Sequence, residues 1–256
     1  MNLILIAAEE VNDRHAVCLR DRRATHLIEV LRVQTGDEVR VGLIDGPMGH
    51  GRVERLAGPQ EEHLVELTIR VSEPPPAEAA VDLILALPRP IMLKKILTQA
   101  ASLGVKRIFL INANRVEKSF FSANLLRDRE YDTYLLQGLE QARDTIRPEV
   151  TIHPRFRPFV EDHLPTLDSG YNLKLIAHPE AEPIAGLARR TGRTGSAAGR
   201  VLLAIGPEGG WVDFEVAKFR EQGFRPVGMG ARILRMDTAV VALLARLALL
   251  REMENP

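Results

Sequence analysis

The chain has 256 residues, of which 45% are hydrophobic and 27% charged, and its 34 basic and 34 acidic residues leave no formal net charge. This composition is typical of a globular protein with one large or two modest domains, and the neutral balance gives no indication of nucleic-acid binding by charge alone. A single cysteine, Cys18, excludes an intramolecular disulfide framework, and no histidine has a second ligand type at metal-binding spacing, so we expect no metal site.

The first residues, MNLILIAAEE, predict a strand at the start of the chain. Their apolar run is short, lacks a basic leader and is followed at once by Glu9 and Glu10, unlike a secretory signal peptide. No stretch approaches the roughly 18 apolar residues of a membrane span. We therefore expect a cytoplasmic protein with no membrane partner.

Residues 1–72 are predicted to form a small β-barrel domain with one helix. Short apolar or alternating runs, some separated by TGD and DGPMG turns, indicate its strands. The predicted strands are the run NLILIAA and the segments Glu38–Ile44, Gly49–Leu56 and His63–Val71, and the predicted helix is about Arg22–Leu31. Residues 73–80, EPPPAEAA, are predicted to be a stiff linker, because consecutive prolines favour an extended chain and cannot join a sheet interior.

Residues 81–256 alternate between strand and helix patterns, which predicts an α/β domain with a parallel sheet covered on both faces. The predicted strands are Val81–Leu87, Val105–Ile111, Val150–Ile152, Leu173–Ala177, Val201–Ile205 and Pro226–Met229. The predicted helices are Ile91–Leu103, Asn124–Ala142, Asp213–Gln222 and Asp237–Arg251. Gly104 and Gly223 follow two of these helices and favour their C-termini. Arg189–Arg200, rich in Gly, Ser and Thr, is predicted to be a surface loop.

Three of the predicted strands end in loops suited to binding a ligand. They are Ile176–Glu180 (IAHPE), Ile205–Gly210 (IGPEGG) and Val227–Ala239 (VGMGARILRMDTA). In an open parallel sheet, ligands bind beyond the carboxyl ends of the strands, and glycines let the backbone approach them closely. Each loop could equally be a tight turn without a ligand. No G-x-G-x-x-G follows Val81–Leu87 and no Walker A motif is present, which excludes an ordinary dinucleotide or P-loop site.

The segment IGPEGGWVDFEV, followed by MGARILRMDTAVVALLA, closely resembles the signature of the RsmE family, the ribosomal RNA small subunit methyltransferases E of the SPOUT superfamily. The segments HLIEVLRVQTGDEVRVGLIDG, KKILTQAASLGVKRIFLINANRVEKS and LEQARDTIRPEV resemble further motifs of that family. The resemblance implies a SPOUT-type α/β domain with a C-terminal trefoil knot, preceded by a PUA-like RNA-binding β-barrel domain. It also implies a homodimer that uses S-adenosyl-L-methionine (AdoMet), and no metal, to methylate N3 of one uridine in 16S ribosomal RNA of the small subunit.

The resemblance assigns cofactor-binding residues to the three loops. They are Ala177, His178, Ile205, Gly206, Glu208, Gly209, Gly210, Met229, Gly230, Ile233, Leu234 and Arg235. Glu208 is a candidate base for the uridine N3 proton and Arg235 a candidate stabiliser of the uridine anion, so both are predicted to be catalytic. The family usually has glutamate where this chain has Asp237, and Asp237 or Thr238 is predicted to cap the last helix. Trp211 is expected to pack over the Gly-Gly turn.

Several basic residues are predicted to bind RNA, because arginine and lysine contact phosphates and arginine also reads base edges. The predicted RNA-binding residues are Arg22, Arg23, Arg32, Lys94, Arg115, Arg143 and Arg232. Structural roles stay open for some positions. Arg143 could interact with a helix dipole, Arg232 could flank the last helix at the surface, and His178 could be a solvated turn residue.

Two other functions stay open at this level. One is a SPOUT methyltransferase that acts on another RNA, such as tRNA. The other is a non-catalytic RNA-binding factor of ribosome assembly with a degenerate pocket, against which the intact GPEGG and RILR motifs argue. Cofactor binding and the identity of the methylated RNA separate these possibilities.

Overall fold

The computed structural model describes residues 2–57, 63–76, 80–167, 170–184, 186 and 199–254. The chain divides into two compact units. The first unit combines Met1–Ala77 with Leu136–Arg147, and the second combines Glu78–Leu135 with Pro148–Pro256. Most of the predicted surface loop Arg189–Arg200 lies outside the described residues. Within the described ranges, every helix is too short or too polar to cross a membrane.

The first unit is built on a five-stranded sheet. Its strands are β1 (Ile4–Ile6), β2 (Ala16–Leu19), β3 (Glu38–Leu43), β4 (Met48–Ala57) and β5 (Leu64–Glu73), in the spatial order β1-β3-β4-β5-β2. β1 pairs with β3 in parallel, and the other pairs are antiparallel. Alternation along β4 gives the sheet one buried face, because Gly51 and Val53 are buried while Arg52 and Glu54 are exposed.

A helical segment packs against the buried face of this sheet. α1 (Arg22–Thr25) continues as a wider π-helical turn, His26–Val30, so the predicted helix is confirmed. Asp21 caps its start, since the Asp21 carboxylate accepts a hydrogen bond from the Arg23 amide at 2.8 Å. Leu27 is completely buried and belongs to the same apolar cluster as the inward-facing strand residues.

A segment from the middle of the chain, Leu136–Arg147, completes the first unit. The Glu140 side chain is only 3% exposed and accepts two hydrogen bonds from the Arg22 guanidinium, at 2.9 and 2.7 Å. Thr145 is buried, and its hydroxyl donates to a carbonyl of the loop between β3 and β4 at 2.6 Å. A Cβ at Gly42 would lie 2.5 Å from the Thr145 Cγ2. Glycine at this position of β3 therefore lets the segment pack against the sheet.

The second unit contains a six-stranded parallel sheet. Its strands are β6 (Val81–Ala86), β7 (Arg107–Ile111), β8 (Glu149–His153), β9 (Leu173–Ala177), β10 (Val201–Ile205) and β11 (Arg225–Val227), in the spatial order β11-β9-β10-β6-β7-β8. All neighbouring strands pair in parallel. Every residue of β6 and β10 is buried, as expected for central strands of a sheet covered on both faces. The predicted α/β class with a parallel sheet is therefore confirmed.

The remaining helices match most of the predicted ones. They are α2 (Pro90–Ser102), α3 (Asn124–Arg127), α4 (Asp132–Ala142), α5 (Leu164–Leu167), α6 (Asp213–Glu221) and α7 (Met236–Glu254), with short 3-10 or π-helical turns at Ala8–Glu10, Lys118–Ser122 and Pro158–His163. Gly104 and Gly223 have left-handed φ values of 74° and 81° just beyond the ends of α2 and α6. Their predicted positions at helix C-termini are therefore confirmed.

The prediction of one long helix over Asn124–Ala142 is wrong. The chain forms α3 and α4 instead, and between them Arg129 takes a left-handed φ of 55°. The break lets Leu125, Leu126 and Tyr131 all be buried, whereas these positions would lie on different faces of one continuous helix. A second difference is β2, a short strand that no sequence pattern predicted.

A buried carboxylate links the amino ends of β6, β7 and β10. Asp82 is completely buried, and its Oδ2 accepts hydrogen bonds from Arg107 Nε at 3.0 Å and Arg200 Nη2 at 2.6 Å. The Tyr171 hydroxyl donates to the same oxygen at 2.5 Å, and burial together with this hydrogen bond raises the pKa of Tyr171. Both guanidinium groups lie over the Tyr171 ring, 5.7 and 5.8 Å from its centroid. One carboxylate thus partly neutralises two arginines that lie over the same tyrosine ring.

Candidate active site

A pocket of about 900 Å³ lies beyond the carboxyl ends of β6, β9, β10 and β11. The three loops singled out by the sequence form most of its wall, and residues of α2 and α7, together with Arg115 from the segment after β7, complete it. This volume is in the range of pockets that bind cofactor-sized molecules. All of the predicted cofactor-binding residues line the pocket except Gly230. The fold thus gathers segments that are distant in sequence at the edge of the sheet where ligands bind to such folds.

The loop after β10 is shaped by a turn and by a buried tryptophan. The Gly210 amide donates to the Pro207 carbonyl at 2.8 Å, and the left-handed φ of 78° at Gly210 suits a glycine. Trp211 is only 7% exposed and packs against Gly206, where a Cβ would lie 2.9 Å from the indole ring. The tryptophan therefore contacts the first glycine of GPEGG, while the Gly-Gly turn lies against Arg115.

A buried carboxylate fixes the far end of the same loop. Glu215, in the first turn of α6, is 2% exposed and accepts a hydrogen bond from the Val212 amide at 3.0 Å. It also accepts a hydrogen bond at 2.6 Å from the backbone amide of Asn114, which lies in the segment that follows β7. These bonds hold the loop between β10 and α6 in place.

The loops after β9 and β11 are bonded to each other. The His178 amide donates to the Val227 carbonyl at 2.9 Å, and the Gly228 amide donates to the Glu182 carbonyl at 2.9 Å. No side chain fits at Gly228, because a Cβ there would lie 2.2 Å from the Ala181 carbonyl oxygen. His178 and Gly228 both line the pocket, so backbone contacts determine this wall.

Basic side chains contribute to the lining of the pocket. They are Arg89, Lys95, Arg115, Arg232 and Arg235. Arg115 donates a hydrogen bond to a carbonyl of the Gly-Gly turn. Sequence reasoning missed Arg89 and Lys95. The signal for Arg89 is its position in the loop that follows β6, and Lys95 lies in α2, the helix after that loop. Among the described residues, no group of three or more His, Cys, Asp or Glu side chains is placed to hold a metal ion.

The two predicted catalytic side chains both line the pocket, but their surroundings differ. The Glu208 carboxylate forms an ion pair with the Arg89 guanidinium at 2.9 Å, and its side chain is 46% exposed. The Arg235 side chain is more exposed, at 71%. The Arg235 Nε lies 3.7 Å from the Asp237 carboxylate. α7 begins one residue before its predicted start, so Asp237 lies in the first turn and not at the N-cap. Its carboxylate accepts a hydrogen bond from the Thr238 amide at 3.0 Å.

The predicted RNA-binding residues fall into two groups. Arg115 and Arg232 line the pocket, whereas Lys94 does not, and its Nζ lies 5.1 Å from the centroid of the Tyr134 ring. The others belong to the first unit and are Arg22, Arg23, Arg32 and Arg143. Arg32 and Arg143 are exposed, with left-handed φ values of 52° and 58°.

Arg22 and Arg23 have partners within the first unit. Arg22 is bound by Glu140, as described above. The Arg23 guanidinium donates to the Leu5 carbonyl at 2.7 Å and to the carboxylates of Glu10 and Asp21 at 2.9 and 2.7 Å. Burial opposes the charge of Arg23, but the two carboxylates outweigh this effect and raise its pKa. Both arginines therefore have structural roles, and their contact with RNA stays a prediction.

Comparison with known proteins identifies the class. A family model described as an RNA methyltransferase domain matches residues 75–248. The ribosomal RNA small subunit methyltransferase E of Treponema pallidum is 35% identical, over 96% of this chain and 90% of the relative. The ribosomal RNA small subunit methyltransferase E 1 of Borreliella burgdorferi is 23% identical, over 94% of this chain and 95% of the relative.

A solved structure has the same fold. It is the ribosomal RNA small subunit methyltransferase E of Neisseria gonorrhoeae bound to S-adenosyl methionine, which is 24% identical, has a TM-score of 0.76 and matches over 98% of both chains. The second unit thus contains an RNA methyltransferase domain. The chain belongs to the ribosomal RNA small subunit methyltransferase E family, as its motifs predict.

Proposed function

We propose that this protein uses AdoMet to methylate N3 of a specific uridine in the 16S ribosomal RNA of the small subunit. The observation that carries the proposal is the pocket beyond β9, β10 and β11, which nearly all of the predicted cofactor-binding residues line. Membership of the family supports the reaction and the kind of RNA. The AdoMet bound to the Neisseria relative supports the cofactor.

The residues of the pocket fit this cofactor. Ile205, Met229 and Leu234 offer apolar surfaces for an adenine ring, and the glycines of the GPEGG loop let the backbone approach a ligand closely. The Glu180 carboxylate suits an ammonium group, and the basic side chains suit a carboxylate, which are the two charges of an amino-acid moiety. AdoMet supplies an activated methyl group on a sulfonium sulfur.

AdoMet bound in this pocket would supply the methyl group that uridine N3 gains in exchange for its proton. Glu208 accepts that proton and becomes a neutral carboxylic acid. Arg235 stabilises the negative charge that develops on the uracil ring. The position of both side chains in the lining of one pocket supports these roles.

The proposal extends to the architecture and the assembly. Residues 81–256 form a SPOUT domain with a C-terminal trefoil knot, supported by the meeting of the loops after β9, β10 and β11 at one pocket. Residues 1–72 form a PUA-like RNA-binding barrel, joined by the linker 73–80 and supported by a mainly antiparallel sheet with one helix. The resemblance of the motifs supports a homodimer in the cytoplasm, with Arg32, Arg143, Arg115 and Arg232 as RNA contacts.

Methyl transfer from labelled AdoMet to small ribosomal subunits that lack the modification, followed by nucleoside mass spectrometry, tests the function. We expect 3-methyluridine as the product. Arg235→Ala is expected to lower kcat/KM by roughly 100-fold, because it removes charge stabilisation in the transition state. The matched control is Arg225→Ala, an exposed arginine at the amino end of β11, which is expected to leave kcat/KM unchanged.

Each contrary result has a distinct meaning. Methylation of tRNA in place of the ribosomal subunit would assign the enzyme to another RNA. A chain that binds the subunit but not AdoMet would be a non-catalytic RNA-binding factor. Unchanged turnover in Arg235→Ala would remove this arginine from the catalytic residues.

Trp211 is the only tryptophan of the chain and lines the pocket, so its fluorescence is expected to report AdoMet binding. Titration with AdoMet should give a saturable change in emission, because a bound molecule alters the surroundings of the indole ring. Trp211→Phe should lose the signal while binding remains measurable by calorimetry. Calorimetric binding without any change in the emission of the unmodified protein would place the cofactor elsewhere.

A further inference from the structure

Arg89 has a constrained backbone and an exposed side chain in the lining of the pocket. It lies between Pro88 and Pro90, and its φ of −56° and ψ of 148° are those that a residue before proline favours. Pro90 begins α2, and the Arg89 carbonyl accepts hydrogen bonds from the Met92 and Leu93 amides at 2.9 and 3.0 Å. The origin of the side chain is therefore held in place, while the side chain itself is 60% exposed.

The Arg89 side chain forms an ion pair with a proposed reacting group, Glu208. The Arg89 Nη2 and the Glu208 Oε2 are 2.9 Å apart, and the two side chains are 60% and 46% exposed. An ion pair this exposed contributes little to stability, so its partners exchange readily. An RNA phosphate is a strong competitor for the guanidinium, because it binds arginine through two parallel hydrogen bonds.

The other arginines of the pocket with described partners are held differently. Arg115 donates to a backbone carbonyl, and the Arg235 Nε faces Asp237, a residue of its own loop and helix start, at 3.7 Å. Neither of these partners is a proposed catalytic group, so transfer of Arg115 or Arg235 to an RNA phosphate would release no reacting carboxylate. Release of Arg89, in contrast, would free the Glu208 carboxylate on the same pocket wall.

We propose that Arg89 is an RNA-binding residue that exchanges partners when the substrate docks. In the free protein it holds Glu208, and on docking an RNA phosphate replaces the carboxylate, which is then available to the uridine. This inference rests on the proposed function, since it concerns when Glu208 can act. It requires that Glu208 and the RNA compete for the same guanidinium.

Equilibrium binding of small ribosomal subunits lacking the modification, measured without AdoMet at several KCl concentrations and constant Mg²⁺, tests the RNA contact. Arg89→Gln is expected to weaken binding about 5- to 10-fold and to reduce the slope of log K against log salt by roughly 0.7 to 0.9, the value for one phosphate contact. Arg89→Lys is expected to keep the slope but to lose about twofold to threefold in affinity, because an ammonium group lacks the bidentate fork. Arg127→Gln removes an exposed arginine paired with Asp128 and is expected to change neither quantity.

Glu208→Gln tests the competition. Removing this charge is expected to tighten subunit binding about threefold when Arg89 is present and to have no effect in Arg89→Gln, because the coupling depends on a shared guanidinium. Equal tightening in both backgrounds would show general charge repulsion and would overturn the exchange. Unchanged affinity and salt slope in Arg89→Gln would overturn the RNA contact itself.

AdoMet affinity, measured through Trp211 fluorescence, distinguishes an RNA contact from a deformed pocket. Arg89→Gln is expected to lower AdoMet affinity by no more than about twofold, because the four other basic side chains of the pocket remain. A loss of AdoMet affinity as large as the loss of subunit affinity would assign Arg89 a structural role and overturn the proposal. A different result would refute the proposed function alone. If subunit binding depends on Arg89 but no 3-methyluridine forms, the reaction assignment is wrong and the RNA contact of Arg89 stands.

Discussion

Replacing Gly228 by alanine is expected to lower AdoMet affinity by roughly 10- to 100-fold, because the added methyl group displaces a loop that lines the pocket and each loss of about 1.4 kcal/mol is tenfold in affinity. The added Cβ would lie 2.2 Å from the Ala181 carbonyl oxygen and 3.3 Å from the His178 carbonyl oxygen. Both are backbone atoms, so no side-chain rotation relieves the collision, and the loop after β9 or the loop after β11 must move. Overpacking of this kind also destabilises the fold, by about 1–3 kcal/mol.

Calorimetric titration with AdoMet and thermal unfolding of the same preparation measure both effects of Gly228→Ala. Gly170→Ala is the matched control, because a Cβ at Gly170 has no atom within 4 Å, and it should bind AdoMet and unfold like the unmodified protein. Normal AdoMet affinity in Gly228→Ala would mean that the two loops adjust freely and that their backbone contact does not determine the pocket.

Replacing Asp82 by alanine is expected to lower the free energy of unfolding by about 3 kcal/mol, the lower end of the range for breaking a buried ion pair. The change leaves Arg107 and Arg200 without their carboxylate and the Tyr171 hydroxyl without an acceptor. The lower end applies because the two arginine side chains are 27% and 32% exposed, so water partly hydrates them.

Urea unfolding followed by Trp211 fluorescence measures the effect of Asp82→Ala. Asp82→Asn keeps one acceptor oxygen and most of the volume, so its loss of stability should be smaller. Asp128→Ala removes an exposed carboxylate that also pairs with an arginine, and it should leave the urea midpoint unchanged. An Asp82→Ala protein with an unchanged urea midpoint would show that water replaces the carboxylate without loss of stability.

The sequence predicts the second sheet well where the strands are buried on both faces. Val201–Ile205 has the predicted bounds and is wholly buried, because a continuous apolar run between polar or glycine-rich segments is characteristic of a central parallel strand. Leu173–Ala177 also has the predicted bounds, although Lys174 interrupts its apolar run. The pocket residues are predictable for a related reason, since the carboxyl ends of parallel strands lie on the same edge of the sheet. Their assignment to a cofactor came from the family motifs and not from periodicity.

The features that the sequence does not predict depend on contacts between distant residues or on unusual backbone conformations. The break at Arg129 has no glycine to mark its left-handed φ. Arg89 becomes a candidate only because β6 and β10 are neighbours, which places its loop beside that of Glu208. The fit of Thr145 against Gly42 likewise depends on folded geometry.

The inclusion of Leu136–Arg147 in the first unit also bears on how the chain folds during its synthesis. Domains generally begin to fold as they leave the ribosome, and all five strands of this unit precede residue 80. Yet the buried partner of Arg22 is Glu140, and Thr145 fills the space beside Gly42. Until residue 147 has emerged from the ribosome, the nascent sheet therefore lacks the segment that packs beside Gly42, and Arg22 lacks its carboxylate partner. A fragment that ends at the proline-rich linker would lack these contacts permanently, because it does not contain Leu136–Arg147.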